Sequence, residues 1–142
     1  MTMAYSRDMR KAAHRHLRAA QILHGQIGAG DQPGCKAVAG YLFGLAGELA
    51  VKELMRDSGM HTLPQAERRD DPFFAHFPEL KTMLSTAKGR RSEELRKLSE
   101  DSSLFQDWDI AMRYAPTKEI KANCVDRWKI SAELLIERME TV

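Results

Sequence analysis

The sequence predicts an all-α fold, an antiparallel bundle of four to five helices in one domain over residues 1–142, with its core at roughly 5–140. Three observations predict it. Apolar residues recur at spacings of three and four along most of the chain. No stretch shows the period-two alternation of a strand. GAGDQPG at 28–34 and Pro116 fall where helices must end. Hydrophobic residues make up 43% of the chain and the formal net charge is only +2, which excludes a disordered chain and removes whole-molecule charge as an argument for nucleic acid.

Residues 4–28 read as the first helix, with Met9, Ala13, Leu17, Ala20, Leu23 and Ile27 on one face and Arg7, Arg10, Lys11, Arg15 and Arg18 on the other. The segment GAGDQPG at 28–34 ends it, because Pro33 cannot continue a helix. Residues 35–57 form the second helix, apolar almost all the way round, which makes it the centre of the bundle. Gly40, Gly44 and Gly47 share a narrow face of it. Each costs about 1 kcal/mol of helix propensity relative to alanine, so a neighbouring backbone or a ligand is expected to come close there.

Residues 58–72 read as a polar, mobile connection, and Phe73, Phe74 and Phe77 bring the chain back to the core. Pro78 suits the first turn of a third helix at 78–87. A short basic helix follows at about 92–99, and another at 103–113 carries Leu104, Phe105, Trp108, Ile110 and Met112. Thr117 is expected to cap the last helix, which runs to about 140 through Val125, Trp128, Ala132, Leu135 and Met139.

The opening MTMAYSRDMRK has neither an apolar h-region nor a cleavage site, and the longest apolar run, 37–51, is too short for a membrane span and holds Glu48. A cytoplasmic protein without a membrane partner is expected. Cys35 and Cys124 match no metal spacing and read as reduced thiols. His14, His16 and His24 have no metal-ligand spacing, and His61 and His76 are loop residues with no evident partner. No metal or cofactor is therefore expected. The sequence has no nucleophile motif, although the amides after GAGDQPG could bind an anion. The basic residues Lys88, Arg90, Arg91, Arg96 and Lys97 are diluted by Glu93, Glu94 and Glu100 and read as a solvated face.

Glu48 stands out because its neighbours are destined for the core. A buried carboxylate needs a cationic or hydrogen-bonding partner, and Arg113 and Arg127 are the candidates.

The segments AAHRHLRAAQILH, AGYLFGLAGELAVKELM, FPELKTML and WDIAMRYAP, with the long final helix, resemble HEPN domains over roughly residues 5–140. Ala46, Glu48 and Lys52 on the second helix and the Arg113-Tyr114-Ala115-Pro116 stretch carry most of the likeness. The resemblance implies an HEPN-like bundle, often a homodimer, associated with RNA, a nucleotide or a partner nucleotidyltransferase. Many members are metal-independent ribonucleases of toxin–antitoxin and antiphage systems, marked on a late helix by an arginine, then four to six intervening residues, then a histidine. Here no histidine follows Arg113. Arg7 with His14 and Arg69 with His76 match the spacing elsewhere, at a frequency expected by chance. Without that histidine the usual proton carrier is missing.

The expected function is a non-catalytic module that binds a nucleotide, RNA or a protein in an interhelical cleft through Glu48, Lys52, Arg113, Tyr114 and Arg127. The alternatives are a ribonuclease using His14 or His76, and a scaffold that dimerises through the glycine face.

Overall fold

A computed structural model describes residues 7–26 and 35–141, and these contain helices, turns and no strand. The GAGDQPG segment with its anion reading lies outside the described residues, as do positions 4–6, 27 and 28 of the expected first helix and the Cys35 side chain. The described residues form five α-helices: α1 (Met9–His24), α2 (Cys35–Asp57), α3 (Glu79–Met83), α4 (Ser92–Glu100) and α5 (Ala122–Glu140). No helix of the described residues is long and apolar enough to cross a membrane.

The three long helices form the frame. Arg10 lies 3.7 Å from Glu53 and His24 packs edge-on against Phe43, so α1 runs antiparallel to α2. His24 bonds Asp126 at 2.7 Å and His14 bonds Glu140 at 2.8 Å, so α1 is also antiparallel to α5. These two histidines are therefore paired rather than free on the surface. By contrast Gly40 faces Val125 and Trp128 while Gly47 faces Leu135, so α2 and α5 run parallel. This corrects the expectation of a wholly antiparallel bundle. The cause is the segment at 58–121, which carries the chain back along the frame through short helices and turns before α5 begins.

The glycine face of α2 receives aromatic rings rather than a backbone or a ligand. A Cβ built on Gly44 would stand 1.9 Å from Trp108 Cε2, one on Gly47 would stand 2.4 Å from Phe105, and one on Gly40 would stand 2.9 Å from Trp128. Each ring occupies the space a side chain would have taken, which offsets the propensity lost at these positions. Trp108 Nε1 donates to the Gly40 carbonyl at 3.0 Å, and Trp128 Nε1 donates to the Gln106 carbonyl at 2.8 Å, so neither buried indole is left unpaired. Because the chain's own rings fill this face, it is closed to a second copy, which removes the scaffold that would dimerise there.

The expected helix at 103–113 is instead a series of turns followed by a 3-10 turn at Ile110–Tyr114. Phe105 and Asp107 have φ of 50° and 69°, which no helix permits. This path lets Phe105 and Trp108 both enter the glycine face, where Phe77 stacks on Phe105 with centroids 4.9 Å apart. The last helix also starts later than expected. Thr117–Glu119 is a separate 3-10 turn, Ile120 is turned in against the core, and Lys121 holds the N-cap position with no side-chain bond. The polar connection contains a 3-10 helix at Gln65–Asp70, and the third helix is confined to Glu79–Met83 with a 3-10 turn at Leu84–Thr86. Val38, expected in the core, is 49% exposed.

Candidate functional site

Glu48 and Lys52 lie one turn apart on the face of α2 beside the glycines, and both are buried. The chain that returns to the core after Asp70 closes over them. Glu48 Oε1 pairs with His76 Nδ1 at 2.9 Å, and Glu48 Oε2 accepts from the Phe77 amide at 2.9 Å. Asp71, also buried, accepts from the Phe73 amide at 3.0 Å and the Leu63 amide at 2.8 Å. Two buried carboxylates therefore bind the backbone of one segment and fix its path. Burial raises the Glu48 carboxyl above the ordinary carboxylate value, against the lowering effect of its bonds to His76 and Phe77 and of the Lys52 charge. Burial likewise lowers the Lys52 ammonium, against the opposing pull of Glu48 and Asp71.

The partners of Glu48 are thus His76 and a backbone amide, not Arg113 or Arg127. Arg113 is exposed, with its guanidinium 4.8 Å from the Tyr114 ring centroid, and the nearby Tyr41 and Tyr114 side chains raise its pKa. Tyr114 is 77% exposed, and Tyr41 stacks on Trp108 with centroids 6.1 Å apart. Arg127 is exposed on α5 and donates to Cys124 Sγ at 3.2 Å. The five expected residues therefore divide among three places, and no single cleft gathers them.

Asp71 and Phe74 are not among the expected site residues, and His76 is expected there only under the ribonuclease alternative. His76 carried a legible signal, because it stands between phenylalanines in FFAHFP, where the chain re-enters the core and a polar ring needs a partner. Its side chain is 46% exposed, so it is the solvent-facing member of the buried cluster. Beside it, the Arg68 guanidinium lies 4.4 Å and the Arg7 guanidinium 5.4 Å from the Phe74 ring centroid, within cation–π range. An open depression of about 720 Å³ is lined there by Arg68, Arg69, Asp70, Phe74 and Ala75, next in the chain to His76.

The other basic cluster is committed elsewhere. Arg91 is buried and bonds Glu94, Asp57 and the Arg138 carbonyl, Arg90 pairs with Asp57, and Arg96 donates twice to the Ala87 carbonyl. These arginines join α2, α4 and α5 and have few donors left for a ligand. Among the described residues no group of three histidine, cysteine, aspartate or glutamate side chains converges as a metal site.

No protein-family model, curated protein or solved structure matches the chain.

Proposed function

We propose that the chain is a non-catalytic, HEPN-like module that binds RNA or a nucleotide through phosphate contacts on the 65–76 segment. The observation that carries this reading is the placement of Arg68 and Arg7 over the half-buried Phe74 ring beside Arg69, on a segment that Glu48 anchors to α2 and that Asp71 braces through the Leu63 and Phe73 amides. A guanidinium held by a ring loses less freedom when it meets a phosphate than one swinging in solvent, and its fork of donors suits phosphate oxygens. Asp70 lies in the same depression and offsets part of the charge, which favours a few positioned contacts over a broad basic track.

The test is fluorescence anisotropy with a labelled single-stranded RNA at low salt, with a mononucleotide as competitor. Arg68→Ala with Arg69→Ala should weaken binding at least tenfold, while Arg113→Ala and Arg127→Ala leave it close to the parent. Equal losses at Arg113 would move the site to the Tyr41–Tyr114 patch. RNA binding unaffected by all of these changes would end the proposal.

One observation favours a second reading, a ribonuclease. A buried carboxylate holds Nδ1 of His76, which orients the ring with Nε2 as the nitrogen not engaged by Glu48, and Arg69 precedes it at the family's spacing. Cleavage of RNA by the purified protein, lost in His76→Ala and in Glu48→Gln, is what this reading predicts. Intact RNA after long incubation would remove it.

A further inference from the structure

The end of α2 builds a second hollow that the phosphate reading leaves unused. Gly59 has φ of 94°, a conformation that favours glycine, and the turn it makes stops the helix. The Gly59 amide bonds the Arg56 carbonyl and the Met60 amide bonds the Met55 carbonyl, both at 3.0 Å. Ser58 is buried and ties the 88–91 loop to the same point. Its hydroxyl donates to the Lys88 carbonyl at 2.7 Å and accepts from the Arg91 amide at 2.9 Å, and its carbonyl accepts from the Arg90 amide at 3.1 Å. Gly89 fits against this clamp, where a Cβ would stand 1.8 Å from the Ser58 carbonyl oxygen.

Next to the clamp lies a cavity of about 550 Å³. That volume falls within the roughly 300–1,000 Å³ of small-molecule sites. Met60, Pro72 and Met83 give it apolar walls, and His61, Asp70 and Lys88 give it polar and charged groups. Asp71 holds the Pro72 wall in place through the Leu63 and Phe73 amides. The walls are therefore fixed by bonds within the chain, so a ligand has little to order on entering. The arginines of the same loop are committed, since Arg90 and Arg91 both pair with Asp57. Among the described residues the side chains of His61, Asp70 and Lys88 take part in no hydrogen bond or ion pair, and all three border the cavity.

We propose that this cavity binds a small zwitterion with an apolar side group, of the class of a free amino acid such as methionine, leucine or phenylalanine. Lys88 and His61 donate to its carboxylate, Asp70 accepts from its ammonium, and its side group lies among Met60, Pro72 and Met83. A simple organic acid would meet the Asp70 charge, a simple amine would meet Lys88, and an uncharged molecule would leave both without a partner. Opposite charges on one ligand satisfy both. Methionine walls adapt to side groups of different shape, so the charged end of the ligand carries more of the selectivity than its side group does. Asp70 also lines the arginine depression, but Lys88, Met60 and Met83 do not, so the site stands or falls apart from the RNA reading.

Amide NMR titration of the full chain with L-methionine, L-leucine and L-phenylalanine, up to millimolar concentration, tests the site. At least one of the three should shift the Met60, His61 and Gly89 resonances saturably. N-acetyl-L-phenylalanine, which lacks the ammonium, and L-phenylalaninamide, which lacks the carboxylate, should each bind more weakly than L-phenylalanine. Lys88→Glu should weaken amino-acid binding about tenfold, because it removes a charge-assisted bond and sets a repulsive charge in its place. Lys88 is exposed, so the variant should keep the dispersed spectrum of the parent. Lys97→Glu, on α4 and outside the cavity, should leave binding unchanged. No saturable shift with any of the three amino acids overturns the proposal. So do blocked ligands that bind as well as L-phenylalanine, binding that survives Lys88→Glu, or an equal loss in Lys97→Glu.

Discussion

Two neighbouring faces of α2 solve opposite problems. The glycine face has no side chains and is filled from outside by Trp108, Phe105 and Trp128. The face beside it has two buried charged groups, Glu48 and Lys52, and is closed by a segment whose backbone and histidine satisfy the carboxylate. On the first face shape decides what docks, and a ring must match a hollow. On the second, polar pairing decides, and a donor must meet an acceptor. Both faces recruit parts of the same poorly helical region at 58–121, which explains why that region is ordered into turns although it holds few long helices.

Breaking the ring side should have the larger effect. Trp108→Ala empties the hollow over Gly44 and loses the bond to the Gly40 carbonyl, and should cost about 4 kcal/mol in urea denaturation. Gly44→Ala asks for a methyl group 1.9 Å from Trp108 Cε2, and overpacking of about 3 kcal/mol should outweigh the gain of about 1 kcal/mol in helix propensity. A Gly44→Ala protein more stable than the parent would show that the rings do not hold α2 as described.

On the polar side, Glu48→Ala leaves the buried Phe77 amide unpaired and Lys52 without its nearest counter-charge. A loss of about 3 kcal/mol is expected, together with faster amide exchange in the 71–77 segment. Glu48→Gln keeps an acceptor and should cost less. The pH dependence separates the two variants. The folded-state pKa of Glu48 is raised, so the folded protein binds its proton more readily than the unfolded chain does. The parent should therefore gain stability relative to Glu48→Gln as pH falls through the raised folded value toward 4.5, and the gain should level off below it. A parent that instead loses ground to Glu48→Gln over that range would contradict the dominance of burial over the His76 and Lys52 contacts. His76→Ala removes one of two bonds to a carboxylate from a half-exposed position and should cost about 1 kcal/mol. Arg113→Ala should leave the melting temperature unchanged, since its guanidinium lies on the surface against Tyr114.

How much of this was legible in the sequence differs between the two faces. The span of α2 follows from composition alone, and Cys35–Asp57 coincides with the expected 35–57. The glycines announced a close approach, but not that rings would make it. Two of those rings come from Phe105 and Trp108, on a path with positive φ that no glycine marks, so an apolar 3.6-residue spacing at 103–113 passed for a helix. The need of Glu48 for a partner was equally clear. Its identity was not, because arginines are the usual answer to a buried carboxylate, while the structure uses a histidine and a backbone amide from a loop. The parallel course of α2 and α5 depends on the whole return path through 58–121, and nothing local encodes it.

The central claim is that the polar side of α2 presents a phosphate-binding segment. The slope of log binding constant against log salt concentration, measured for single-stranded RNA with the parent and with Arg68→Ala/Arg69→Ala, tests it most directly. Removing two guanidinium groups that each neutralise a phosphate should reduce the slope by about 1.4, at unchanged helix content and melting temperature. An identical slope in parent and variant would show that these arginines do not meet phosphates, and would contradict the claim.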